Sequence, residues 1–559
     1  MSSFRVWAGG VAIALGWAMG AQAQGLGAAD PAAPAKVGGT VLTLKPKARE
    51  AAPIVACDTL LQQDLVPIGG AGSRIEAARI DKVAGVEVCR VSGVLAPAVR
   101  FDVNLPTKGW TLRYLQMGCG GLCGQMPTQL AAAEGCAPLM AGTLATGATN
   151  MGHQGPGGAF GRDPAMLADF AHRAQHVTAL AAKQLIRAFY GRAPAFSYFS
   201  GCSDGGREAL IAAQRYPEDF NGIVAGAPAL NFQAQNGLYH AWQVKANTGL
   251  SGKPILLAHR LPLLHQAVLR ACDGLDGVQD GLLADPRACL FDPASIQCPE
   301  LTNKRDPRCL SAAEARAAAL LYDGPRDPKG GERLTAGGPQ FGSELGWAGV
   351  FVPTSEGSPL LSAQIAKEAL DVVFEPADRP ASLAALRFDH ATFALLRKRH
   401  PLLDATQPDL QAFIQRGGKL ILWHGWSDPH ISPINTIAYH QALQATLGFG
   451  QTQAFARLYL LPGVAHCAGG EGPSVVDFLT PMMDWVERGR EPDRIEVKSA
   501  PGATVRARPA FPYPAVAKLQ AGGDPNRAEA FLAGPPLASP ATPLWAGSGF
   551  YAPQPAPGR

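Results

Sequence analysis

Three residue types at three places in this chain could together activate a hydroxyl group. Ser203 stands in the string GCSDGG, residues 201–206. The spacing Gly201-x-Ser203-x-Gly205 is the pattern of a sharp strand-to-helix turn that exposes the serine oxygen. A serine hydroxyl is a weak nucleophile until a base takes its proton, and the base is usually a histidine oriented by a carboxylate. Downstream, Asp428 in HGWSD and His466 in VAHC each follow an apolar string, so the chain carries serine, acid and histidine in that order. Asp404 and Asp409 compete for the role of acid but precede the string KLILW. His424 and His430 read as pocket or structural residues.

Two of the three candidates have a cysteine beside them. Cys202 precedes Ser203 and Cys467 follows His466. A bridge between them would hold their Cα atoms within roughly 4.4 to 6.8 Å and clamp nucleophile and base side by side. A thiol-disulfide role for Cys202 is the weaker reading, because a bridge between positions so far apart in the chain is structural. Cys57 with Cys89, Cys272 with Cys289 and Cys298 with Cys309 are close enough in sequence to suggest three local bridges. The total of 11 cysteines is odd and leaves at least one thiol unpaired or bound elsewhere. Cys119, Cys123 and Cys136 are left open: two of them can bridge, and a zinc site there lacks a fourth ligand at a suitable spacing.

These residues need elements to position them. From about residue 53 to 228 the text alternates strand-like and helical runs: WTLRYLQMGCGG reads as a strand entering a glycine loop, and DFAHRAQHVTALAAKQLIRAFYG as an amphipathic helix closed by Gly191. Such alternation argues for an α/β fold with a mainly parallel sheet, and serine, acid, histidine is the order of α/β-hydrolases. The expected organisation is a leader at 1–23, a first core part at 24–230, an irregular Pro- and Gly-rich lid at 231–397, a second core part at 398–500, and a Pro/Ala-rich segment at 501–559 that packs on the core.

In GCSDGG, HC and HGWSD the chain resembles the tannase and feruloyl esterase family, which also includes mono(2-hydroxyethyl) terephthalate hydrolase. The strings PEDFNGIVAGAPA, FGSELGW and DPNRAEAF extend the likeness over nearly all of the chain after the leader. The resemblance implies an α/β-hydrolase core, a bridge from Cys202 to Cys467, and hydrolysis of esters of aromatic acids such as ferulate or gallate. The oxyanion needs backbone N–H donors; Asp204, after the nucleophile, should be one, and Gly121 or Gly120 in GCGGLCG the other. Trp347 in GSELGW is the expected lid contact for the substrate ring.

A second string, CDGLDGVQDGLLADPRAC, places Asp273, Asp276 and Asp280 within eight residues among turn-forming glycines. That is the composition of a loop of hard oxygen ligands for calcium, although the spacing is not that of an EF-hand. The resemblance adds two backbone carbonyl ligands, which fall on Val278 and Leu282. The chain also departs from its relatives: where they carry a C-terminal cysteine pair, it has Phe511 and Ala533.

Composition bounds the alternatives. A net charge of +4 spread over 559 residues gives no electrostatic footprint for nucleic acid. At the N-terminus Arg5 leads an apolar run that closes on Ala21-Gln22-Ala23, the pattern of a secretory leader, so a periplasmic or secreted protein is expected. The competing reading, a short membrane anchor, suffers from a run that is too short and broken by glycines. A small aromatic ester is the expected partner. A terephthalate half-ester would require a lid cation for its distal carboxylate. A non-catalytic calcium-dependent binding protein would be expected to lack a member of the triad.

Overall fold

The string Lys419–Gly425, KLILWHG, is apolar on both faces, the composition of a strand covered by helices on either side. The computed structural model describes residues 50–299 and 306–553, all within one compact unit. The expected leader at 1–23 lies outside the described residues. The string becomes one strand of a nine-stranded sheet. Its members are β1 (Arg74–Val83), β2 (Val86–Leu95), β3 (Val99–Pro106), β4 (Arg113–Met117), β5 (Ala145–Thr149), β6 (Phe196–Cys202), β7 (Gly222–Gly226), β8 (Lys419–Gly425) and β9 (Ala456–Leu461). They lie in the spatial order β1-β2-β3-β5-β4-β6-β7-β8-β9. Pairing is antiparallel from β1 to β5 and parallel from β5 through β9. The expected mainly parallel sheet is therefore present, with an antiparallel extension at its N-terminal edge.

Successive side chains of a strand point to opposite faces, and the core divides accordingly. Leu115, Tyr198, Val224, Ile421 and Trp423 turn to one face, against Met482 and Trp485. Tyr114, Phe199, Ile223, Leu420 and Leu422 turn to the other, in the same core as Val177, Ala181, Leu185 and Leu210. The first three of these last four residues lie on α1 (Ala174–Tyr190), whose spacing of three to four residues gives it one apolar side. It ends at Gly191, which takes the left-handed conformation expected of a helix stop. Leu210 belongs to α2 (Asp204–Arg215), the helix that leaves β6.

Adjacent strands β7 and β8 are separated in sequence by residues 227–418. This insertion contains α3 (His240–Ala246), α4 (Leu261–Cys272), α5 (Ala312–Asp323) and α6 (Leu361–Val373). It has a small core of its own around Leu256, Leu264, Leu310, Trp347 and Phe351. Bridges Cys272–Cys289 and Cys298–Cys309 close short loops within it. After residue 500 the chain adds one strand, Ala507–Ala510, to a three-stranded sheet and forms a hairpin in which Ala533 faces Ala517. Trp545 and Phe550 then pack into the main core beside Phe393.

Candidate active site

Ser203 follows β6 directly and opens α2 with φ 67° and ψ −120°, a conformation that is strained for a residue with a side chain. The flanking glycines are required by space. A Cβ on Gly201 would lie 2.5 Å from the Gly205 carbonyl oxygen, and one on Gly205 would lie 2.8 Å from that of Cys119. The turn is tied to its neighbours by hydrogen bonds from Ser203 N to Gly226 O (3.0 Å) and from Ala229 N to Ser203 O (3.0 Å).

Asp428 lies just past β8 and is fully buried. Its Oδ2 is 2.7 Å from His466 Nδ1 and 3.1 Å from His424 Nε2, while Oδ1 accepts the backbone N–H groups of His430 (2.7 Å) and Ile431 (3.0 Å). Burial alone would raise this carboxyl. The His466 charge and the hydrogen bonds from both imidazoles outweigh burial and hold it well below the ordinary carboxylate range. Asp404 pairs instead with His400 (2.6 Å), and Asp409 caps the backbone of Gln411, so neither competing acid serves the histidine. His424 is the buried brace behind Asp428, with Nδ1 2.8 Å from Thr436 Oγ1. His430 stands beside His466, with ring centroids 4.7 Å apart, and burial together with that neighbour pushes it down to about 4.

Cys202 and Cys467 are bridged, with Cα atoms 5.9 Å apart. The three local bridges are also present. Of the three cysteines left open, Cys119 and Cys123 bridge and Cys136 is the buried free thiol. Asp204 and Glu208 approach the sulfurs of Cys119 and Cys123, supplying carboxylates where sequence spacing offered no fourth metal ligand, but those sulfurs are bonded to each other.

Ser203 and His466 line one cleft of 540 Å³ together with Gly120, Gly121 and Asp204. Among the described residues, no hydrogen-bond acceptor faces the backbone N–H of Gly120, Gly121 or Asp204, which leaves these donors available to an oxyanion. Ser203 Oγ and His466 Nε2 likewise take no partner among the described residues; such catalytic hydrogen bonds commonly tighten only around substrate.

Two supports were not singled out from sequence. Arg207, buried in α2, grips Asp204 through Nε (2.6 Å) and Nη2 (3.1 Å) and stacks on Phe170 and Phe232. Glu208, one residue on, accepts the N–H of Cys119 (3.2 Å) and the side chain of Gln175, linking the helix that opens at Ser203 to the glycine loop. Burial and the Asp204 charge push Glu208 well above the carboxylate range. The signal available in the sequence was REAL, two opposite charges on a helix that the fold must bury.

Trp347 requires a correction. It is not a cleft residue: it sits fully buried in the insertion's own core, packs on Tyr322 and Phe351, and donates from Nε1 to Ser343 Oγ (3.0 Å). The insertion packs a core of its own, and Trp347 is drawn into it with Leu256, Leu264 and Phe351.

The acidic loop of the insertion offers the donor set that calcium prefers. Asp273 and Asp276 share one short helical turn, Asp280 follows on the next loop with its N–H on Asp273, and the carbonyls of Val278 and Leu282 accept no hydrogen bond among the described residues. Burial, opposed by the Val278 N–H and reinforced by Asp280 and Asp273, pushes Asp276 up to about 6. Crowded acids and uncommitted carbonyls fit a hard divalent cation. Asp280 also pairs with Arg508 of the C-terminal segment.

Comparison with known proteins agrees with this architecture. The family model described as tannase and feruloyl esterase matches residues 82–533. A mono(2-hydroxyethyl) terephthalate hydrolase from Piscinibacter sakaiensis is 31% identical over 517 residues, covering 80% of this chain and 85% of its own. A feruloyl esterase B from Aspergillus niger is 30% identical over 479 residues, covering 79% and 86%. The crystal structure of feruloyl esterase B from Aspergillus oryzae superposes with a TM-score of 0.74 at 23% identity, over 86% of this chain and 100% of that one, which speaks to the fold.

Proposed function

The chain belongs to the tannase and feruloyl esterase family and is a carboxylic ester hydrolase, and on that premise we propose that it cleaves esters of phenolic acids, feruloyl or galloyl, through Ser203, His466 and Asp428. Ser203 Oγ attacks the ester carbonyl while His466 Nε2 takes its proton and then returns it to the departing alcohol. Asp428 holds the imidazole from its Nδ1 side, and the N–H groups of Asp204 and of Gly121 or Gly120 hold the oxyanion. Water, activated by His466, then releases the acid from the acyl-enzyme. Calcium bound by Asp273, Asp276, Asp280 and the carbonyls of Val278 and Leu282 would stiffen the insertion electrostatically.

The observation that carries the choice of substrate is the lining of the cleft. Among the described residues no Lys or Arg lines it, whereas Gln235, Asn236, His240 and Gln364 do, and Glu368 adds a carboxylate. A neutral phenolic acyl group suits such walls. The distal carboxylate of a terephthalate half-ester would be desolvated there without a counter-charge. Export through the leader at 1–23 is part of the same reading, and the five bridges among the described residues support it, since such bonds persist outside the cytosol. The test is hydrolysis of methyl ferulate, methyl gallate and the terephthalate half-ester by the chain and by Ser203→Ala. Turnover of a phenolic ester that the variant loses is the expected result. Preference for the half-ester, or full activity in the variant, would overturn the reading.

A further inference from the structure

Part of the cleft lining comes from the insertion. One helical run there, Phe232–Ala246, is interrupted by a wide π turn over Gln235–Tyr239. Such turns shift which side chains share a face, and they recur at functional sites. Here Gln235, Asn236 and His240 all line the cleft. His240 is 3% exposed, and its ring centroid is 6.2 Å from that of His430, which in turn neighbours His466. It therefore lines the same cleft as Ser203 and His466, one ring removed from His466.

The tautomer of His240 follows from its neighbours. The carbonyl oxygen of Pro429 can only accept, so the amide nitrogen of Gln243 faces it, at 3.1 Å. Gln243 Oε1 is then an acceptor and takes the single proton of Ser362 Oγ, at 2.9 Å. With that proton committed, Ser362 Oγ accepts from His240 Nδ1, 3.0 Å away, so Nδ1 carries the hydrogen. Nε2 is left as a bare acceptor with no partner among the described residues. Burial, together with the neighbouring His430 and His466, pushes His240 down to about 3, so the ring stays neutral at ordinary pH.

We infer that His240 is a specificity-determining residue, whose bare Nε2 accepts the hydroxyl proton of a phenolic acyl group. The inference rests on the phenolic-ester reading and narrows it. A ring hydroxyl satisfies a buried acceptor; a methoxyl or a carboxylate at the same place sets acceptor against acceptor. Rejection of groups that leave a buried polar atom unpaired is the stronger form of discrimination.

The experiment compares matched acyl pairs on the whole enzyme: methyl 3,4-dihydroxycinnamate against its dimethoxy analogue, and methyl gallate against its trimethoxy analogue. Within at least one pair, kcat/KM should favour the hydroxylated ester by roughly tenfold to hundredfold. In His240→Phe, which keeps a ring but no nitrogen, that ratio should collapse towards unity, and Ser362→Ala, which frees the tautomer, should lower it part of the way. Equal rates within both pairs in the wild type, or a ratio that survives in a folded His240→Phe, would overturn the inference and leave the phenolic-ester reading standing. Failure of the folded wild type to cleave any of the four esters would remove that reading and the inference with it. Where His240→Phe does not fold, Ser362→Ala carries the test, and an unchanged ratio there overturns the inference.

Discussion

The sheet and the insertion position side chains by different means. In the sheet, Ser203, Asp428 and His466 sit past the ends of β6, β8 and β9, strands locked in register by parallel backbone ladders. Asp428 is held by four contacts, two from imidazoles and two from backbone N–H groups. The insertion has short helices and much irregular chain, and is held by two local bridges and by a charged strut to the core. In the strut, His265 Nδ1 lies 2.6 Å from Glu344, and Nε2 lies 2.9 Å from Glu471, on the loop that also carries His466. A framework that holds Ser203, Asp428 and His466 is thus joined to a wall that lines the same cleft, and on the proposed function the two should fail differently.

The largest effect should come from the sheet side. Asp428→Asn keeps the shape but leaves His466 with the wrong hydrogen-bond partner, so kcat should fall by about 10⁴ with KM little changed. A large rise in KM instead would mean that Asp428 shapes the cleft more than the base. Removing the Cys202–Cys467 bridge with paired serines should come next: roughly a hundredfold in rate from loosened alignment and about 2–4 kcal/mol in unfolding free energy. A variant that keeps full activity would show that the ladders alone align the triad.

On the insertion side, chelation of calcium, or Asp276→Asn, should lower unfolding free energy by about 2–3 kcal/mol, the gain expected from an ion near a hundred times its Kd, and calcium should restore only the parent chain. An unfolding midpoint unmoved by chelator would remove the ion from the loop. The smallest effect concerns pH. Burial opposes the charge on His265, but Glu344 and Glu471 outweigh it and raise the group to about 9. A raised folded-state value means that the strut contributes fully below about 6.5, the unfolded value, and is lost as pH rises through about 9. The midpoint should therefore drop by about 1–2 °C between pH 8 and 10, and His265→Gln should flatten that slope. An equal slope in the variant would assign the loss to other groups.

What was legible divides along the same line. Ser203, Asp428 and His466 could be read because each follows an apolar string that can only be a buried strand, and strand ends of a parallel sheet meet on one edge. The cysteines beside two of them made the long-range bridge readable as well. Trp347 was misassigned because its direction depends on which part of an irregular segment closes over it. His240 passed unnoticed because a lone histidine in an apolar stretch carries no signal until Ser362, more than a hundred residues away, meets it.

By itself, the amino-acid sequence determined the α/β architecture, the order of the candidate nucleophile, acid and base, four of the five bridges and the position of the acidic loop. All of these depend on local pattern or on pairs of marked residues. Only the tertiary structure decided which charges are buried beneath Ser203, which two cysteines of the glycine loop pair, that Trp347 faces inward, and which groups face His240. Those properties arise where elements distant in sequence pack together, and hydrogen-bond direction is settled there by the partners each group finds.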